Sequence, residues 1–191
     1  MGKDMIKLGL NLLIISAVAA LLLALTNSVT AGTIAQRSEQ ANAEARKLVL
    51  DSAETFEEVK DVNTDNSKGI EVAEVYEAKD ASGNTVGYTL KVVPSGYGGD
   101  IELMVGIDSA NSQVSGINVV SNSETAGLGA KSTDPEFSDQ YKGKPLEELS
   151  VLKNGTPGDT EIKAISGATI TSTAVTNGVD AAIEVYNNSL K

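Results

Sequence analysis

The sequence predicts an α+β chain, with one N-terminal transmembrane helix followed by an antiparallel-sheet domain on which further helices pack. Three observations predict it. No charge stands between Lys7 and Arg37, and residues 8–25 are mostly Leu, Ile, Ala and Val. Four apolar-rich stretches between residues 70 and 121 have strand length and are separated by turn residues. The stretch from 172 onward carries its apolar side chains at helical spacing instead.

The first element covers residues 5–27. About 20 apolar residues span hydrocarbon as a helix, and Asn11 and Ser16 are the main polar interruptions. Lys3 and Lys7 flank its start, while residues 27–36 carry no positive charge. The positive-inside rule then places the N-terminus in the cytoplasm and the rest of the chain outside the cell (inner or cytoplasmic) membrane. A cleaved signal peptide is the competing reading, because Val29-Thr30-Ala31 sets small residues before Gly32. The apolar run exceeds the usual core of a signal peptide, which favours retention. Ser16, Ala20 and Ala24 recur every four residues, a stripe that either admits a second helix closely or faces lipid. Residues 36–49 are rich in Ala, Glu, Gln, Arg and Lys, so the helix is expected to continue as a stalk. The chain thus divides into 1–27, N-terminus and membrane helix; 28–55, stalk; and 56–191, extracytoplasmic domain.

Within that domain, residues 70–78 alternate apolar with polar, Asp80-Ala81-Ser82-Gly83-Asn84 supplies a turn, and 86–93 returns as the second strand of a hairpin. A Gly-rich turn at 96–100 leads to a strand at 101–108, and a turn at 109–113 leads to one at 114–121. The result is an antiparallel meander. Residues 134–140 read as a short helix with Pro135 in its first turn. Residues 146–152 and 161–165 read as extended. The final helix starts near Ser172, with Val175, Val179, Ala182, Ile183, Tyr186 and Leu190 on one face.

Composition removes whole classes of function. The formal net charge is −11 over 191 residues, so no nucleic-acid partner is expected, since phosphate binding needs clustered Lys and Arg. The only lipid contact expected is that of the apolar helix. The chain has no Cys and no His, which excludes thiolate or imidazole ligation of zinc, iron–sulfur clusters or haem, thiol nucleophiles and His-based triads. Redox chemistry would need a cofactor held by other groups. Glu57-Glu58 and Glu147-Glu148 are paired carboxylates, expected as solvated faces with helical or loop spacing. Gly96-Tyr97-Gly98-Gly99 lacks the Lys-Ser/Thr of a phosphate loop and reads as a hairpin turn.

One segment carries chemistry. Ser166-Gly167-Ala168-Thr169-Ile170-Thr171-Ser172 joins an extended stretch to the last helix. By itself it is a strand-to-helix turn with hydroxyl caps. It resembles, however, the FMN-binding domain family, in which a Ser/Thr-Gly-Ala-Thr motif is esterified through its last Thr to the phosphate of FMN. Gly98-Gly99-Asp100-Ile101, Val105-Gly106-Ile107-Asp108 and Glu124-Thr125-Ala126-Gly127-Leu128-Gly129 resemble that family's other motifs, in the family's order. Lys163 stands where the family often has Asp, and Ala126 where it often has Pro.

The resemblance implies a covalent FMN on Thr169, with Ser166, Gly167, Ala168, Thr171 and Ser172 around its phosphate. It implies contacts of Glu124, Thr125, Gly127 and Leu128 with the isoalloxazine ring. It implies no catalytic residue and no metal. A phosphodiester retains about one negative charge, which suits free N–H groups at a helix start. With one N-terminal membrane helix, the chain further resembles the G-subunit family of the Rnf electron-transport complexes. That implies an electron relay between ferredoxin and NAD coupled to Na⁺ or H⁺ movement. The implied partners are the other membrane subunits, membrane lipid and an FMN transferase for maturation. The alternatives are a C subunit of a Na⁺-translocating NADH:quinone reductase, and a cofactor-free membrane-tethered binding or scaffold module.

Overall fold

The computed structural model describes residues 2–191; Met1 and the side chain of Lys3, part of the flanking-charge expectation, lie outside the described residues. The chain divides between Ala41 and Asn42 into two compact units.

The first unit is one helix. Helix α1, Gly2–Val49, runs unbroken through the apolar segment and the polar one that follows. It contains a stretch of mean hydropathy 2.6 with none of its side chains buried, so its length and composition are those of a membrane-crossing helix. Three of its hydroxyls, those of Thr26, Ser28 and Thr30, turn inward on their own backbone. Thr26 Oγ1 donates to the Leu22 carbonyl at 2.9 Å, and Thr30 Oγ1 to the Thr26 carbonyl at 2.9 Å. Hydrocarbon offers no acceptor, so a hydroxyl satisfied within its own helix lowers the cost of immersion.

The second unit is a five-stranded antiparallel meander in the order β1-β2-β3-β4-β5. The strands are β1 Thr55–Glu58, β2 Glu71–Lys79, β3 Thr85–Val93, β4 Glu102–Asp108 and β5 Gln113–Ser121. Helix α2, Pro135–Ser138, and the short strands β6, Ser150–Leu152, and β7, Glu161–Lys163, follow, and helix α3, Thr169–Ser189, closes the chain. The sheet is covered on both faces, which is why β4 is buried at almost every position. On one face Leu103, Val105 and Ile107 join Leu90 and Val92 against Val175, Val179 and Ile183 of α3. On the other, Met104 packs with Ala45 and Val49 from the end of α1. Arg46 lies 3.1 Å from Glu74 and 4.0 Å above the Tyr76 ring, and is almost fully buried. Gly106 is required at that contact, because a Cβ there would meet the Val49 carbonyl oxygen at 2.5 Å.

Four expectations need correction. The compact unit begins at Asn42 rather than at 56, because the last turns of α1 are part of the core. Glu57 and Glu58 lie on an edge strand, where Glu57 meets Lys79 at 2.6 Å, and not in a helix or loop. Of residues 146–152 only Ser150–Leu152 form a strand, which pairs in parallel with β7. The last helix starts at Thr169, three residues before the expected Ser172.

Candidate functional site

Three chain segments meet at the N-terminal end of α3. The first is the turn between β3 and β4, closed by the Gly96 N–H to the Gly99 carbonyl at 2.8 Å. Gly99 has φ +149°, which favours glycine there. The turn lifts Tyr97 into the open, 72% exposed. The second is the loop after β5, in which the Thr125 carbonyl accepts from Leu128 N at 3.1 Å and Ala130 N at 3.2 Å. That tight turn leaves Leu128 half outside, and a 3-10 turn, Gly129–Thr133, follows. The third is the motif itself, where Ala168 N bonds the Ile165 carbonyl at 3.0 Å around Gly167, at φ +76°.

A chain of buried hydroxyls holds that motif from behind. Ser172 Oγ accepts from Ile165 N at 3.0 Å and donates to the Ala168 carbonyl at 2.9 Å. One turn on, Thr176 Oγ1 donates to the Ser172 carbonyl at 2.9 Å and meets the Tyr141 hydroxyl at 2.7 Å. Burial pushes the Tyr141 hydroxyl well above the usual phenol range, so it remains a protonated donor.

Between the three segments lies an open cavity of about 600 Å³, within the range of small-molecule sites. Of the residues expected at the site, Glu124, Thr125, Leu128, Gly167, Ala168, Thr169 and Thr171 line it. Ser166, Gly127 and Ser172 do not. Ser166 faces a separate cavity of about 300 Å³ together with Lys131 and Lys163. Gly127, at φ +77°, shapes the loop. Ser172 is wholly buried behind the motif and bonds its backbone.

Beside Gly129, the last residue of the second motif, two further lining residues were not expected, Tyr97 and Ile170. Both are large, apolar and exposed, Ile170 at 57%. An aromatic side chain inside a glycine-rich turn is the signal that could have found Tyr97. Ile170 gave no sequence signal, since it precedes the apolar stripe of α3.

The donor set fits a flavin phosphate. Helix α3 begins with Ala168 at its N-cap and no side-chain capping bond, so the N–H groups of its first turn have no acceptor of their own. A residue without an oxygen at that position is disfavoured on its own terms, and an anion there would replace the missing cap. The Thr169 hydroxyl, in that first turn, has no partner among the described residues and is half-buried. Tyr97, Leu128 and Ile170 supply apolar surface at the same opening, as an aromatic ring system requires. Glu124 Oε1 accepts from Gly98 N at 2.8 Å, and Oε2 accepts from the Thr171 hydroxyl.

Residues 96–184 match the FMN-binding domain family, and residues 1–49 match the RnfG N-terminal region. The chain is 48% identical to the G subunit of the Na⁺-translocating ferredoxin:NAD⁺ oxidoreductase complex of Acetobacterium woodii, over 99% of this chain and 95% of that protein. It is 39% identical to the G subunit of the ion-translocating oxidoreductase complex of Methanosarcina acetivorans, over 96% and 95% of the two chains. Among solved structures, NqrC of Shewanella oneidensis aligns at TM-score 0.54 and 25% identity, over 60% of this chain and 58% of that one. The C subunit of the Na⁺-translocating NADH-quinone reductase of Parabacteroides distasonis aligns at TM-score 0.58 and 21% identity, over 80% and 93%, a likeness of fold.

Proposed function

The chain belongs to the G-subunit family of ion-translocating oxidoreductase complexes, and from that premise we propose that it relays electrons in such a complex through an FMN joined to Thr169. Its relatives that span the whole chain are G subunits, whereas the quinone-reductase C subunits share the fold at 21–25% identity. This sets the G-subunit reading above the C-subunit and scaffold alternatives. Bound FMN supplies the electron transfer, and the protein supplies position and surroundings.

The observation that carries covalent attachment is the position of Thr169. Its unpartnered hydroxyl stands at the start of an uncapped helix and opens into the cavity that holds Tyr97, Leu128 and Ile170. In attachment, Thr169 Oγ forms a bond to the flavin phosphorus and gives up its proton. The bond from that phosphorus to the leaving nucleotide of a flavin dinucleotide breaks, and no electrons are transferred. An FMN transferase is the catalyst of this step. The first-turn N–H groups of α3 would hold the phosphodiester charge, and Tyr97, Leu128 and Ile170 would offer the ring apolar surface.

The chain turns over no substrate alone and passes electrons between its partners in the complex, in the ferredoxin:NAD⁺ chemistry for which its relatives are named. Helix α1 holds it in membrane lipid, with Lys7 on the cytoplasmic side and the sheet domain outside.

Two experiments test the reading. After denaturation of the purified full-length chain in detergent, flavin fluorescence should migrate with the polypeptide; free flavin alone would refute covalent attachment. Protease added to the outer face of the cell membrane should cut beyond Arg37, and cleavage confined to inside-out vesicles would reverse the orientation.

A further inference from the structure

Two threonine hydroxyls lie two residues apart at the start of α3, and they are in opposite situations. Thr169 is half-buried and has no partner among the described residues. Thr171 is 1% exposed and gives its proton to Glu124. The Glu124 carboxylate is itself seated close against three glycines. A Cβ on Gly96 would collide with Oε1, and one on Gly129 would collide with Oε2 and stand 2.5 Å from Thr171 Oγ1. Gly98 fills the remaining side and donates its N–H to Oε1 at 2.8 Å. Glu124 therefore ties the turn at 96–99 and its own loop to the third residue of α3. Neither of its oxygens takes a first-turn N–H of the helix, so those donors stay open toward the cavity.

We propose that Glu124 is the positioning residue of the attachment site, and that its bond to Thr171 makes Thr169 the sole acceptor. The carboxylate holds Thr171 as a strut. Thr171 borders the cavity as well, but its side chain is buried and its hydroxyl proton engaged by Glu124, which withholds its oxygen from a phosphorus there. The same strut fixes the rotation of the first helical turn, and with it the direction in which Thr169 Oγ faces. The inference rests on covalent attachment at Thr169 and adds to it what selects that oxygen.

The test is the initial rate of flavin mass gain by the full-length chain in detergent, with an FMN transferase and its flavin dinucleotide donor, and peptide mapping of the adduct. Thr171→Val keeps the shape of the side chain and removes the hydroxyl. It should slow modification of Thr169 about tenfold or more, the weight of a hydrogen bond to a charged group. Glu124→Ala, which also frees the Gly98 N–H, should slow it at least as much, and the double variant should be no slower than Glu124→Ala alone, because both variants remove the Thr171–Glu124 bond. Thr171→Ser restores the hydroxyl and should bring the rate back to within about threefold of the parent.

Multiplying effects in the double variant, or failure of Thr171→Ser to recover over Thr171→Val, would overturn the strut. So would unimpaired modification in Thr171→Val, or an adduct on Thr171 of the parent. A loss that tracks only a lowered unfolding temperature, without recovery by Ser, would reduce Glu124 to fold support and likewise reject the proposal. A parent chain that gains no flavin at all refutes attachment itself, a result distinct from the others.

Discussion

Helices α1 and α3 are both long and rich in apolar residues, yet they solve opposite problems. In the span of α1 before its last turns, the apolar side chains point outward in every direction, with Leu13 64% and Leu23 72% exposed. In α3 they form one face, and Val175 and Val179 are wholly buried against the sheet. The hydroxyls differ in the same way. Those of Thr26 and Thr30 bond only their own helix, while Ser172 and Thr176 link α3 to Ile165 and Tyr141. Charge completes the contrast. The span of α1 has none between Lys7 and Arg37, whereas α3 buries Asp180 with a bond from Leu149 N at 2.8 Å. A helix that meets lipid must satisfy its polar groups alone, and a helix that meets protein can use them to position a site.

The largest effect belongs to the site end of α3. Thr169→Ala should abolish the flavin adduct altogether, while Thr173→Ala, on the exposed side of the same turn, should retain it. Mass spectrometry of both purified chains decides, and an adduct surviving in Thr169→Ala would move the acceptor.

Next comes the packed face. Val179→Ala should destabilise the domain by about 2 kcal/mol, since it leaves a cavity in a close-packed core. Leu13→Ala should leave domain unfolding unchanged, because that exposed side chain belongs to the other compact unit. Urea unfolding of both variants in detergent measures the difference; equal effects would erase the distinction between the two helices.

The smallest effect is electrostatic. Burial pushes the Asp180 carboxyl up to about 6, against the opposing pull of the Leu149 N–H and of Lys68. The folded state thus holds this proton more tightly than the unfolded chain. Its contribution to stability is full below about pH 4 and is lost as pH rises through about 6. Asp180→Asn keeps an acceptor for Leu149 and should flatten that decline, leaving the variant about 1 kcal/mol more stable than the parent near pH 7.5. Parallel stability-versus-pH curves for the two proteins would show that the carboxyl is not the source.

How much of this was legible beforehand depended on whether the signal was local. The long apolar helix, the meander and the apolar face of α3 follow from composition and period, which a window of residues displays. The parallel pairing of β6 with β7 is a long-range contact between short segments, and no window displays it. The edge strand β1 was hidden for a related reason: its register is imposed by β2, and only four residues take part.

The same division runs through the site. From the sequence came the charge-free first helix, the order of strands and the Ser166–Thr169 motif, because each is a property of neighbouring residues. The tertiary structure alone decided that Tyr97 and Ile170 stand at one opening, that Ser172 is buried support, and that Glu124 joins segments 26 and 47 residues away. Those facts depend on where the chain folds back on itself. No run of residues records the distance from Gly98 to Glu124 to Thr171; packing of the sheet against α3 sets it.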